Sequence, residues 1–260
     1  MTPEHIEQLR RARQLLENPG LTAKITNAIG KPIEEGIKLL PDKWSEVVND
    51  ATKKSLTTAL DAALMTFGKR GRLESSDIWH KIAVVATGAG GGAFGLPALV
   101  IELPVSTTIM LRSIADIARS EGEDIRLAES KLACFEVFAL GGRTLKDDAA
   151  KAGYFAVRAT LAKAVSEAAE FIAERGIAKE GVPVIVRLIS KIATRFSVNV
   201  SEKLAAQAIP AVGAVGGALI NLAFIDLFQN IARGHFTVRR LEKIYGTEVV
   251  QSEYRKFNGQ

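Results

Sequence analysis

A chain of 260 residues can bury a substantial core unaided, and its single cysteine, Cys134, excludes an intramolecular disulfide framework. A formal charge of +5 is mild for this length, and because basic and acidic residues alternate along most of the chain, nucleic acid is not expected as a partner. Aromatic residues make up only 6% of a chain rich in alanine, leucine and isoleucine, and a mean hydropathy of +0.12 is high for a water-soluble protein; both favour tight helix packing over sheet.

Thr2 and Pro3 read as N-cap and first residue of a helix that runs to Leu16 and stops at Asn18-Pro19-Gly20. This charged start lacks the basic head, apolar middle and small-residue cleavage site of a secretion signal. The protein is therefore expected in the cytoplasm or on the cytoplasmic face of a membrane, where Cys134 stays reduced as a small core residue. Short helical pieces follow, with stops at Gly30 and before Pro41. A long amphipathic helix is predicted from Pro41 to Phe67, ended by the GKRG at 68–71. Ser75 and Ser76 offer caps for a helix through Trp79, Ile82 and Val85 into a glycine run. Beyond it, Leu111, Ile114, Ala115, Ile117 and Ala118 form an apolar face opposite Arg112, Asp116 and Arg119.

The EGED at 121–124 predicts a turn, Leu127 to Leu140 a helix stopped by Gly141-Gly142, and Asp147 to Glu174 a long alanine-rich helix ending at Gly176. Pro183 starts a helix towards Leu204. A second apolar block follows, and the chain closes with Phe236 to Tyr245 and a short helix beyond Thr247. The expected fold is all-α, a single large helical bundle with a central glycine-rich apolar helix pair.

That pair is suggested by two glycine-rich apolar runs. Ile82 to Leu111 holds thirty residues and one charge, Glu102, whereas Ala205 to Ile225 holds twenty-one residues and none. Both exceed the roughly 18 apolar residues that raise the question of a membrane span. Gly88 with Gly92, and Gly213 with Gly217, are spaced for close helix contact, which would offset the roughly 1 kcal/mol that a mid-helix glycine costs. Pro97 and Pro104 argue against a single straight helix in the first run. The run is then either a hairpin dipping into one leaflet or the buried centre of a bundle. A phosphate-cradling reading of Gly90-Gly92-Gly95 lacks strand context and a following GK[ST].

Glu102 needs a partner or a proton in such surroundings. Arg112, His80, Asn221 and Arg239 are the candidates. Two readings follow: a structural ion pair that fixes packing, or a proton, ion or head-group site in which Glu102 serves as the candidate general acid or base. Asn221 in the second block carries the same ambiguity, with a helix-to-helix hydrogen bond as its plainer role. From Arg233 to the end, six basic residues, Arg239 and Arg240 among them, face three acidic ones, an excess suited either to an anionic lipid surface or to a solvated helix face. His5, His80 and His235 are isolated, Cys134 has no cysteine partner, and no GxSxG is present, so neither a metal, a cofactor nor a serine hydrolase is signalled.

The run GLPALVIELPVSTTIMLRSIADIARSEGED, through Gly95, Pro97, Glu102, Leu103, Pro104, Arg112, Ile114 and Gly122, resembles the central signature of the EcsC family. The run IPAVGAVGGALINLAFIDLFQNIARGHFTVRRLEKIYG is similar to that family's C-terminal signature, through Pro210, Gly213, Gly217, Asn221, Phe224, Phe236, Arg239 and Leu241. Where members commonly have aspartate before Leu-Pro, this chain has Glu102, which keeps the charge on a longer reach. The resemblance spans roughly residues 40 to 246, leaving 1–40 as peripheral N-terminal helices and 41–260 as the EcsC-like helical domain. It implies a bacterial, intracellular or membrane-associated helical protein, with an ABC transporter as a partner, since the family is named for a protein encoded beside one. It supplies no catalytic residue.

Three functions are consistent with this reading. The first is a non-enzymatic membrane-associated helper or adaptor that engages a membrane surface, an anionic lipid or a transporter. The second is an enzyme on an apolar or lipid substrate, with Glu102 as acid or base and Arg112 or Arg239 holding an anionic head group. The third is an insertable or integral helical assembly.

Overall fold

The computed structural model describes residues 1–17, 26, 33–66, 95–141, 153–175, 182–209 and 213–257, and every regular element among them is a helix. These are α1 (Pro3–Glu17), α2 (Ile33–Ile37), α3 (Trp44–Thr66), α4 (Gly95–Ser120), α5 (Ala128–Leu140), α6 (Tyr154–Arg175), α7 (Pro183–Ala208), α8 (Gly213–Tyr245) and α9 (Thr247–Lys256). The protein is an all-α bundle. The helix expected to follow Ser75 lies outside the described residues, as do His80, Gly88 and Gly92.

Local chemistry accounts for most of the boundaries. Thr2 Oγ1 accepts the backbone N–H of His5 at 3.2 Å, capping α1. Pro183 opens α7, where its missing N–H costs nothing. Gly246, at a φ of 85°, lets α8 turn directly into α9.

Two expectations about the apolar runs are corrected. Helix α4 is continuous through Pro104, although the two prolines predict a break at Pro97 and Pro104. Pro97 falls in the first turn, which needs no donor. Pro104 leaves only the Val100 carbonyl without its helical partner, and Val100 sits at an exposed position. The second run does not stop short of Phe236 either, since α8 runs unbroken for 33 residues.

The helix buried on all sides is α5, whose Phe138 meets Phe196 of α7, Phe228 of α8 and Phe135 of its own helix in an aromatic cluster. Helices α6, α7, α4 and α8 surround it, and α3 packs most extensively on α4. Phe196 also touches Phe224, and α7 and α8 form an antiparallel hairpin across the break at Ile209. Leu9 and Ala12 of α1 are buried against α8 with Val238 and Leu241, and Ile33 of α2 joins the main core.

Among the described residues, Gly36 and Gly234 mark close helix approach. A Cβ on Gly36 would fall on the Ala205 carbonyl of α7, and one on Gly234 would lie 2.8 Å from the Ala12 carbonyl oxygen and 2.7 Å from Leu16 Cγ. Gly213 opens α8, while a Cβ on Gly217 would meet nothing within 4 Å among the described residues.

Candidate functional site

The site is built on the pairing of α4 with α8. Gln229 of α8 donates to Ser113 Oγ of α4 at 2.8 Å, and Arg239 Nε donates to Glu123 Oε1, just past α4, at 2.8 Å. Both pairs are 116 residues apart in sequence, so the two helices run parallel and their starts lie at the same end of the bundle.

Along this shared direction the outward faces change character together. On α4, exposed Val100, Ile101 and Val105 give way to Asp116 and Arg119. On α8, exposed Leu219 and Leu222 give way to Asp226 and Arg233. Ile101 is 67% and Leu222 55% exposed. Single exposed aliphatic residues are common, and Ile244 is one at the far end of α8, but five of the described ones fall towards the starts of the two paired helices and make that end the more apolar. The inward faces are ordinary core, with Leu103, Met110, Leu111 and Ile114 on α4 and Ile220, Phe224 and Phe228 on α8.

Beside the apolar end lies an ion pair. Lys203 Nζ of α7 donates to Glu102 Oε1 at 2.6 Å, and the ammonium sits 5.1 Å from the centre of the Phe224 ring. The lysine side chain is 2% exposed and the glutamate 22%. None of the described candidates expected for Glu102 pairs with it. Arg112 makes no hydrogen bond or ion pair among the described residues, and Asn221 has a buried Oδ1 with no hydrogen-bond partner among them. Arg239 belongs to the opposite end.

At that charged end the basic residues of α8 are engaged within the protein. Arg239 bonds Glu123 and, at 3.3 Å, Glu129; Arg240 bonds Glu121 at 2.8 Å and Gln8 of α1 at 2.9 Å. Lys243 lies 3.0 Å from Glu123. Burial by itself would raise the Glu123 carboxyl, but Arg239, Lys243 and Ser130 more than offset it and hold the group below the ordinary carboxylate range. A role for Arg239 and Arg240 on an external anion would require these pairs to break.

Behind this end a chain of polar groups is sealed among α5, α6 and α8. Arg158 Nη1 lies 2.9 Å from Glu242 Oε1 and 3.2 Å from the Tyr154 hydroxyl, which in turn lies 2.9 Å from His235 Nδ1. His235 is fully buried, and its Nε2 has no hydrogen-bond partner but faces Glu136 Oε2 at 3.7 Å. Burial raises the Glu136 carboxyl to about 7 despite the pull of Arg158 and Arg239. Burial, with the same two arginines, keeps His235 neutral.

Sequence reasoning misses Lys203, Tyr154 and Glu136, and reads His235 as isolated. The run LACFEVFAL, notable for its thiol, also holds a lone acid in an apolar helix, the same signal that singles out Glu102. Among the described residues no three His, Cys, Asp or Glu side chains are grouped to hold a metal ion, and no helix is long and apolar enough to cross a membrane.

Among known protein families, a family model described as the EcsC protein family matches residues 4–241. That match begins within α1, well ahead of the residue near 40 where the resemblance in sequence starts. No curated protein and no solved structure matches.

Proposed function

For this chain, which belongs to the EcsC protein family, we propose the role of a non-enzymatic, membrane-associated helical adaptor that meets the bilayer end-on through the starts of α4 and α8. The observation that carries this reading is the apolar end formed by Val100, Ile101, Val105, Leu219 and Leu222. Burying each of these partly exposed side chains is favourable by on the order of 1 kcal/mol, enough together for reversible interfacial binding. An ABC transporter, the partner suggested by family resemblance, would be met at the bilayer with the charged end turned to water.

The ion pairs shift the balance among the three functions. Because Glu121, Glu123 and Glu129 occupy Arg239, Arg240 and Lys243, attraction to anionic lipid is a minor contribution in this reading, and binding depends on apolar contact. Glu102 is engaged by a buried lysine on the protein itself, which favours a packing role over acid–base chemistry.

Flotation with neutral phosphatidylcholine vesicles tests the proposal. The wild-type protein should float with the vesicles and stay bound in high salt. An Ile101→Glu, Leu222→Glu variant should lose at least tenfold in partitioning with an unchanged thermal midpoint, since both positions face outward. A wild-type protein that fails to float, or a variant that floats equally well, contradicts the proposal.

A further inference from the structure

The buried polar chain behind the charged end has a defined direction. An arginine can only donate, so an Arg158 Nη1–H hydrogen-bonds to the Tyr154 oxygen. The single O–H of Tyr154 is then left for His235 Nδ1. That nitrogen is the acceptor, which puts the imidazole proton on Nε2, the atom facing Glu136 Oε2 across 3.7 Å. At that separation no hydrogen bond is made, and a fully buried N–H is left without a partner beside a carboxyl oxygen.

We propose that Glu136 and His235 form a proton-operated latch between α5 and α8, open while the Glu136 carboxyl is protonated and drawn closed onto the Nε2–H when that carboxyl ionises. An ionised oxygen attracts the N–H far more strongly than a neutral one and supplies the missing bond. The charged and titratable surroundings support a change confined to Glu136. Arg158 and Tyr154 approach from α6, Arg239 and Glu242 from α8, and Glu129 from α5 itself. From α9, Tyr254 stacks on Tyr154, with Arg13 of α1 over its ring, and from α7, Arg195 is bonded to the Ala139 carbonyl of α5. Arg158 and Arg239 resist a second positive charge on His235 but favour a negative one on Glu136, so the histidine stays neutral while the acid titrates.

The Glu136 carboxyl titrates near 7 in the fold, against an ordinary 4.5. A raised carboxyl contributes stability that is full below the ordinary value and is lost as pH climbs through the folded one. His235, held low, costs stability only as pH falls below about 6.5. The interval from about pH 6.5 to 8 therefore isolates Glu136 from His235.

Nitrogen-15 NMR of labelled histidine in the full chain tests the latch, with His5 and His80 assigned by His5→Gln and His80→Gln. His235 should show an unprotonated Nδ1 and a protonated Nε2 throughout. Its Nε2–H proton should move downfield with a midpoint near 7, the value for the Glu136 carboxyl, and Glu136→Gln should abolish that movement. A proton on Nδ1, conversion of His235 to imidazolium, or an Nε2–H that ignores pH overturns the latch, as does movement that persists in Glu136→Gln. The tautomer and the pH response are read on the wild-type protein, so the latch can be overturned even where a variant fails to fold.

Discussion

Glu102→Gln should lower the stability of the protein by about 3 kcal/mol, because it leaves the buried Lys203 ammonium beside an amide that carries no charge. The lysine is 2% exposed, so water cannot replace the lost carboxylate, and the Phe224 ring offers only partial compensation. Lys203→Met should cost less. It leaves Glu102, which is 22% exposed and can turn an oxygen to solvent, and it puts an apolar chain of similar length into the core. The double variant should come out more stable than the sum of the two losses predicts, as expected for residues in direct contact. Urea unfolding of the three proteins gives these values. Equal losses for the two single variants, or an unchanged midpoint for Glu102→Gln, would remove the structural role of the pair and return Glu102 to consideration as an acid–base group.

The second large effect is expected at glycines. Gly234→Ala places a Cβ against the Ala12 carbonyl oxygen and the Leu16 side chain, so α1 must move off α8, at a cost of about 2 kcal/mol. Gly36→Ala should be at least as damaging, since the new carbon falls on the Ala205 carbonyl itself, closer than either contact at Gly234, and meets backbone alone. Gly217→Ala should stabilise by up to about 1 kcal/mol, because a helical residue gains propensity where nothing among the described residues stands within 4 Å. Thermal midpoints of the three variants check this ordering. A Gly217→Ala protein as damaged as Gly234→Ala would restore the glycine-to-glycine contact that the spacing of the apolar runs suggests.

The helices themselves are largely legible in the sequence. Periodic apolar positions and the Pro3, Pro183 and Asn18-Pro19-Gly20 signals place α1, α3, α5 and α7 within a few residues of their observed bounds. Sequence reasoning fails where one local rule is weighed without its surroundings. Pro104 reads as a break, yet the carbonyl it deprives belongs to an exposed residue, and the rest of α4 packs well enough to carry the helix through. The basic residues near the end of the chain are legible as charge, but not as partners of Glu121, Glu123 and Glu129, which lie more than a hundred residues earlier. The same holds for Lys203, 101 residues from Glu102. A pattern in sequence shows which face a residue takes; only packing shows which other face it meets. The glycines illustrate this most clearly, since Gly36 and Gly234 stand in sequences with no small-residue repeat and mark the close contacts.

The apolar end is the centre of the proposed function, and a single label reports on it directly. An environment-sensitive fluorophore on Ile101→Cys can be attached selectively, because Cys134 is buried and its burial pushes the thiol up to about 12. Titration with neutral phosphatidylcholine vesicles should shift the emission of this label to the blue, whereas the same label on Arg255→Cys of α9 should stay in its aqueous environment. An Ile101 label that remains aqueous at saturating lipid, or two labels that shift alike, would contradict end-on docking through α4 and α8.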